Sequence, residues 1–163
     1  MARHSHYARL AGCLLVIVLA AGLSVAGAGR ALILLMPRGA MGVEFFAMMH
    51  VFEQARLSVD VAAPEAGRYL FWEDTAEGVA WGAVGGYAWT VKMTYDEVVL
   101  ANYDILILGP GHAHTWWYGE AQEKMEALFH AAVARSMPVA AISSGIQHLI
   151  ELRLVTDRKV AQP

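Results

Sequence analysis

The sequence predicts an α/β fold, a doubly wound and mostly parallel sheet with helices on both faces. Three observations carry this. Short apolar runs, the signature of strands covered on both faces, recur at Ala31-Leu32-Ile33-Leu34-Leu35-Met36, Ile105-Leu106-Ile107-Leu108 and Val139-Ala140-Ala141-Ile142. Segments with helical spacing lie between and after them. Each run also ends near Gly, Pro or Ser, and in such sheets the turns at the strand carboxyl ends hold the functional loops.

The elements follow in order. The first run is the first central strand, broken by Pro37-Arg38-Gly39. Over 43–55 the residues Val43, Phe46, Ala47, Val51 and Ala55 recur near helical spacing, which predicts a helix packing that face on the sheet and leaving His50, Glu53 and Gln54 outside. Leu57-Ser58-Val59-Asp60-Val61-Ala62 alternates as a strand and stops at Pro64-Glu65-Ala66-Gly67. These three make a βαβ unit, hence a parallel pair with a right-handed crossover. The stretch 68–93 is rich in Gly, Trp and Tyr and has no helical period, so short strands or a hairpin are expected there. Residues 95–102 approach the next strand as a short helical segment, and Asp104 to Leu108 forms that strand. A helix over 120–135 presents Met125, Leu128, Phe129, Ala132 and Val133 on one side. A strand at 139–142 and a helix over 145–154 complete the pattern.

The chain has 163 residues, one domain by length. Arg3 and Arg9 precede an uncharged run from Leu10 to Ala28, which reads as a signal peptide cleaved at Ala26-Gly27-Ala28 or, if uncleaved, as a membrane anchor; the domain then occupies 29–163. Either way the positive flank stays inside and the domain is expected to be exported, periplasmic, secreted or anchored facing outward. Leu10-Ala11-Gly12-Cys13 matches a bacterial lipobox, but most of the hydrophobic run follows Cys13 rather than preceding it, and the match is read as chance. Loss of Arg3 and Arg9 with no acid would take the net charge from −3 to −5, which leaves no basic footprint for nucleic acid. Cys13 is the only cysteine, so the mature part has no thiol and no disulfide.

The stretch Pro138-Val139-Ala140-Ala141-Ile142-Ser143-Ser144-Gly145 is the most informative in the chain. Strand, tight turn with a central serine between small residues, and helix are how α/β enzymes raise a nucleophile above the sheet. In a doubly wound sheet the turns after Met36, Leu108 and Ile142 converge on one crevice, which brings together Glu44, Gly111 and Ser143. A serine needs a positioned base, usually histidine. His148 lies in the helix after Ser143 and points away from the turn, whereas His112 and His114 follow Gly111 and could approach from the neighbouring strand. The plainer reading is a serine that caps the helix N-terminus. Glu44 has the same pair of readings: a pocket carboxyl hydrogen-bonded to Ser143 in neutral form, or a solvated acid in a first helical turn. His112-Ala113-His114, even with Glu44 or Glu120, is too weak a pattern to assign a metal, and no cofactor is expected. Trp116, Trp117 and Tyr118 suit a pocket cover or dimer contact, and Trp72, Trp81, Tyr87 and Trp89 suit core or interface packing.

The chain resembles the DJ-1/PfpI family of the class I glutamine amidotransferase-like superfamily, from about Ala31 to Val160. The resemblance is carried by Ala31 to Leu35 with Gly39 and Glu44, by Val59-Asp60-Val61-Ala62-Ala63-Pro64-Glu65-Ala66-Gly67, and by Tyr103-Asp104-Ile105-Leu106-Ile107-Leu108-Gly109-Pro110-Gly111. The elbow stretch and Asp157-Arg158-Lys159-Val160 add to it. It implies a flavodoxin-like fold, frequent dimers, and in active members an elbow cysteine beside an acid from the turn after the first strand. Glu44 falls on that acid, Gly111 on the oxyanion-holding backbone N–H and Ser143 on the cysteine. Ser144 falls where many members have histidine, and Thr115 near an acid of the protease-like branch.

A cysteine reaches the thiolate through local charge alone, whereas a serine hydroxyl has no such route. The resemblance therefore implies a member without the family's thiol chemistry, acting as a small-molecule or protein-binding module. The alternatives are a serine hydrolase using Ser143, with Gly111 N–H as oxyanion donor and His112 or His114 as base, and a truncated, non-functional member. Family members usually continue past the Arg-Lys-Val segment, so a C-terminally incomplete sheet is expected, covered by a homodimer or another partner.

Overall fold

The computed structural model describes residues 29–111 and 119–154. The leader expected in residues 1–28, together with His112, His114, Thr115, the aromatic run 116–118 and the Asp157-Arg158-Lys159-Val160 segment, lies outside the described residues. Among the described residues no helix is long and apolar enough to cross a membrane.

A five-stranded parallel sheet forms the centre, in the order β5-β2-β1-β6-β7. Its strands are β1 (Arg30–Leu34), β2 (Ser58–Ala63), β5 (Met93–Thr94), β6 (Ile105–Leu108) and β7 (Val139–Ala141). β1 lies in the middle, with Ala31 to Leu34 fully buried, because helices cover both faces there. It pairs with β2 from Arg30↔Ser58 to Leu34↔Ala62 and with β6 from Ala31↔Ile105 to Leu34↔Leu108. The connections β1→β2 and β6→β7 run in opposite directions across the sheet. Right-handed crossovers therefore put α1 (Gly42–Gln54) and α3 (Gly119–Ala134) on opposite faces. The direction switches between β1 and β6, and in such sheets the strand carboxyl ends at the switch point are where a ligand crevice forms.

α1 matches the expected span but buries a different stripe. Gly42, Phe45, Met48 and Phe52 face the sheet, while Val43, Ala47, Val51 and Ala55 are exposed and Phe46 is half-buried. The segment is apolar nearly all round, so its spacing does not single out one face; the larger Phe and Met side chains bury more area and win the inner side. In α3, Met125, Phe129 and Ala132 are buried as expected and Leu128 partly so, but Val133 is 42% exposed.

The expected short strands in 68–93 are β3 (Gly67–Tyr69) and β4 (Trp89–Val91), an antiparallel pair outside the main sheet. Between them stand a 3-10 turn at Trp72–Asp74 and the unexpected helix α2 (Ala76–Ala80). Thr75 starts α2 by accepting from Gly78 N–H at 3.1 Å, a capping contact of ordinary kind. Of the four aromatic residues assigned to packing, Trp72 is buried, Tyr87 and Trp89 join a ring cluster with Phe45 and Phe46, and Trp81 instead stands 76% exposed beyond α2. Residues 95–102 are two 3-10 turns, and α4 (Gly145–Glu151) ends earlier than its apolar spacing suggests.

Candidate functional site

Each contributor to the crevice is fixed by a local device. The loop from β1 to α1 is held by two buried phenols. Tyr69 donates to Met36 O at 3.0 Å and accepts from Ala40 N–H at 3.2 Å, and Tyr95 donates to Leu35 O. Burial pushes both phenols above their usual range, so they stay protonated donors. Gly39 N–H to Leu70 O and Trp72 N–H to Ala40 O, both 2.9 Å, tie the same loop to the segment after β3.

α1 begins without a capping side chain of its own, since Met41 cannot accept. The missing acceptor comes from a distance. Glu73, only 5% exposed, receives Gly42 N–H at 2.8 Å on one oxygen and Val43 N–H at 3.1 Å on the other. Two orphan donors at a helix N-terminus are thus satisfied by one carboxylate, a charge the helix dipole favours. The sequence reading missed Glu73; the signal was negative, a helix start whose N-cap residue cannot cap.

Glu44 occupies the first turn of this helix and is half-buried. Burial raises its carboxyl above the usual 4.5, hydrogen bonding to the Ser143 hydroxyl lowers it in part, and the neighbouring Glu73 charge raises it again. Its Oε2 is buried with no well-formed hydrogen bond among the described residues. Because the raised value favours the neutral form, Glu44 adds stability that is complete below pH 4.5 and is lost as pH rises through the folded value. Glu44→Gln is therefore expected to raise the urea midpoint at pH 8 relative to the parent and to lose that advantage at pH 4. An equal difference at both pH values would contradict the shift.

Ser143 sits on the turn after β7 with φ of 56°, in the left-handed region that a residue with a Cβ rarely adopts. This raised conformation is the strained elbow the sequence pattern predicts, and it leaves Ser143 exposed above the sheet. Capping is another matter. The N-cap of α4 is Ser144, not Ser143, and Ser144 makes no side-chain cap. Its hydroxyl donates across the crevice to the carbonyl of Gly111. Gly111 is buried there, and a Cβ on it would overlap the Met36 methyl group. Glu44, Gly111, Ser143 and Ser144 are thus assembled from the ends of β1, β6 and β7.

His148 does not serve the elbow. It is 6% exposed, and its Nδ1 lies 3.4 Å from Glu151 Oε2 along its own helix. Among the described residues no group of three or more His, Cys, Asp or Glu side chains is arranged to hold a metal.

The DJ-1/PfpI family profile matches residues 29–162. Among solved structures, the chain is similar to a ThiJ/PfpI domain protein from Brachyspira murdochii, with a TM-score of 0.66 and 16% identity over 81% of this chain and 68% of that one. It is also similar to a two-domain protein of Anabaena variabilis containing DJ-1/ThiJ/PfpI-like and ferritin-like domains. There the TM-score is 0.58 and the identity 18%, over 77% of this chain and 33% of that one. At these identities the structural likeness speaks for the fold alone. No curated protein matches. The match across residues 29–162, joined to a parallel sheet with its elbow at the end of β7, makes this chain a member of the DJ-1/PfpI family.

Proposed function

We propose that the chain is an exported binding domain in which the family's thiol site has become a hydroxyl–carboxyl site without covalent chemistry. The observation that carries this is the raised elbow backbone of Ser143 beside the half-buried Glu44, whose Oε2 has no hydrogen bond among the described residues. A half-buried carboxyl of raised pKa beside a serine can, when protonated, donate to a bound carbonyl or hydroxyl, but its conjugate base is far too weak to ionise an alcohol. The one imidazole on the elbow helix is engaged with Glu151. Ser143 and Glu44 then act as donor and acceptor for a small polar ligand or for a protein loop entering the crevice. Export rests on the uncharged run before Gly29.

One experiment tests both parts. The full chain, expressed with its own first 28 residues, is fractionated and treated with a fluorophosphonate probe and with p-nitrophenyl acetate. The expected result is recovery from the exported fraction, no labelling at Ser143, and ester hydrolysis unchanged by Ser143→Ala. Labelling of Ser143 that disappears in His112→Ala or His114→Ala would replace this reading with the serine hydrolase.

A further inference from the structure

The paired edges of β2 are unequal. Toward β1 the register runs from Ser58 to Ala62, but on the other side β5 reaches only Ala62 and Ala63. Ser58 N–H bonds Gly29 O at 3.0 Å and Ala62 O accepts Leu35 N–H at 2.8 Å, so the peptide groups of Ser58, Asp60 and Ala62 are directed inward to β1. By the alternation of a strand, the N–H and C=O of Val59 point outward, where no strand of the described residues is hydrogen-bonded to β2. β4, the segment before β5, comes close to β2 but makes its ladder with β3 instead.

Between the open edge and β4 lies a groove of about 850 Å³ at the opposite end of the strands from the crevice. Val59, Val61, Trp89 and Met93 give it apolar walls. Its charges are not equally engaged. Arg30 is paired with Asp60 at 2.7 Å and stacks on Tyr103, and Glu97 is held by Thr94 N–H at 2.7 Å. Arg68 and Lys92 also line the groove, and neither has an ion pair or side-chain hydrogen bond with the described residues. Arg68 stands opposite Thr90, and Lys92 follows two residues after Thr90, just past the end of β4, and both line the groove. Their step along the ribbon is roughly 7 Å, the distance between alternate side chains of an extended peptide.

We propose that this groove receives an extended acidic peptide segment of a partner protein as an added strand on the open edge of β2. Its backbone pairs with Val59, and acidic side chains two residues apart reach Arg68 and Lys92. Main-chain pairing supplies affinity, and the two cations select the charge.

The test uses the full chain and a fluorescein-labelled peptide, acetyl-Val-Glu-Val-Glu-Val-amide, with anisotropy as readout. Two further peptides carry N-methyl groups on odd or on even residues. Binding is expected for the parent peptide, and one methylated isomer should lose at least tenfold while the other keeps its affinity, because only one set of N–H groups can face β2. Arg68→Gln together with Lys92→Gln, both exposed positions, is expected to cost at least tenfold with an unchanged unfolding midpoint. No binding overturns the proposal. So does equal binding by all three peptides, which would mean that charge alone is read, as a free acid would be. An unaffected double variant overturns it too.

Discussion

Ser143→Cys is expected to place a reactive thiol at the elbow. The backbone there already holds φ of 56° and presents the side chain beside Glu44, so the substitution exchanges one atom without asking the fold to move. A free cysteine near pKa ~8.5 is only a few per cent thiolate at pH 7, and a site that stabilises the anion can raise its reactivity by roughly tenfold or more. Glu44 is the group able to do so: burial shifts its carboxyl toward the neutral form, which donates a hydrogen bond to sulfur, whereas the charged form would repel the anion. Alkylation by iodoacetamide, located by mass spectrometry, should therefore proceed at pH 7 about tenfold faster at position 143 than in a free peptide. Glu44→Leu added to the same variant should return the rate to that of the peptide. If the introduced thiol reacts no faster than the peptide, the elbow does not stabilise a thiolate, and the proposed descent of this site from a thiol site fails.

The second large effect comes from a glycine distant in sequence from the crevice. A Cβ on Gly78 would lie 2.1 Å from Trp72 O and 3.0 Å from Glu73 Cα, both backbone atoms that no rotamer change can clear. Gly78→Ala must shift the turn at Trp72–Asp74, and that turn carries the carboxylate holding Gly42 and Val43 N–H. Overpacking of this kind costs about 1 to 3 kcal/mol, and we expect the upper part of that range because the α1 cap is strained with it. Urea unfolding measures the loss, and faster amide exchange at Gly42 and Val43 locates it. Val79→Ala, at the exposed neighbouring position, should stay within about 0.5 kcal/mol of the parent. A Gly78→Ala midpoint equal to that control would show that the turn and the cap are not coupled.

The parts legible in the sequence share a physical reason. β1, β6 and β7 are buried on both faces and so must be continuous apolar runs, which no surface element imitates over that length. Ser143 was legible because an elbow needs small neighbours, and Ser144 and Gly145 provide them. Glu44 was placed by its distance from β1 and by the family resemblance. What stayed hidden depends on contacts between distant residues. The inner face of α1 was ambiguous because Val43, Phe45, Phe46, Met48 and Val51 are all apolar, and only packing against Phe71 and Trp89 chooses among them. α2 has five residues, too few to show a period. Glu73 acts on a helix about thirty residues away, so nothing next to it in the chain marks it. Ser144 was read by its family position, but its hydroxyl is turned to Gly111 by geometry alone.

The central position of β1 also governs when the crevice can exist during folding. Arg30 meets Ser58 after a short loop, so the β1–α1–β2 unit can close early, but Ala31 meets Ile105 only across 74 residues of chain. Closing that longer loop is the slower and entropically dearer event. Ser143 arrives with β6, since β7 pairs with β6 and not with β1. An intermediate with the first unit formed would carry Glu44 with no hydroxyl facing it. A ligand that requires both residues is therefore blind to such intermediates, and its occupancy would count only molecules that have completed the whole topology.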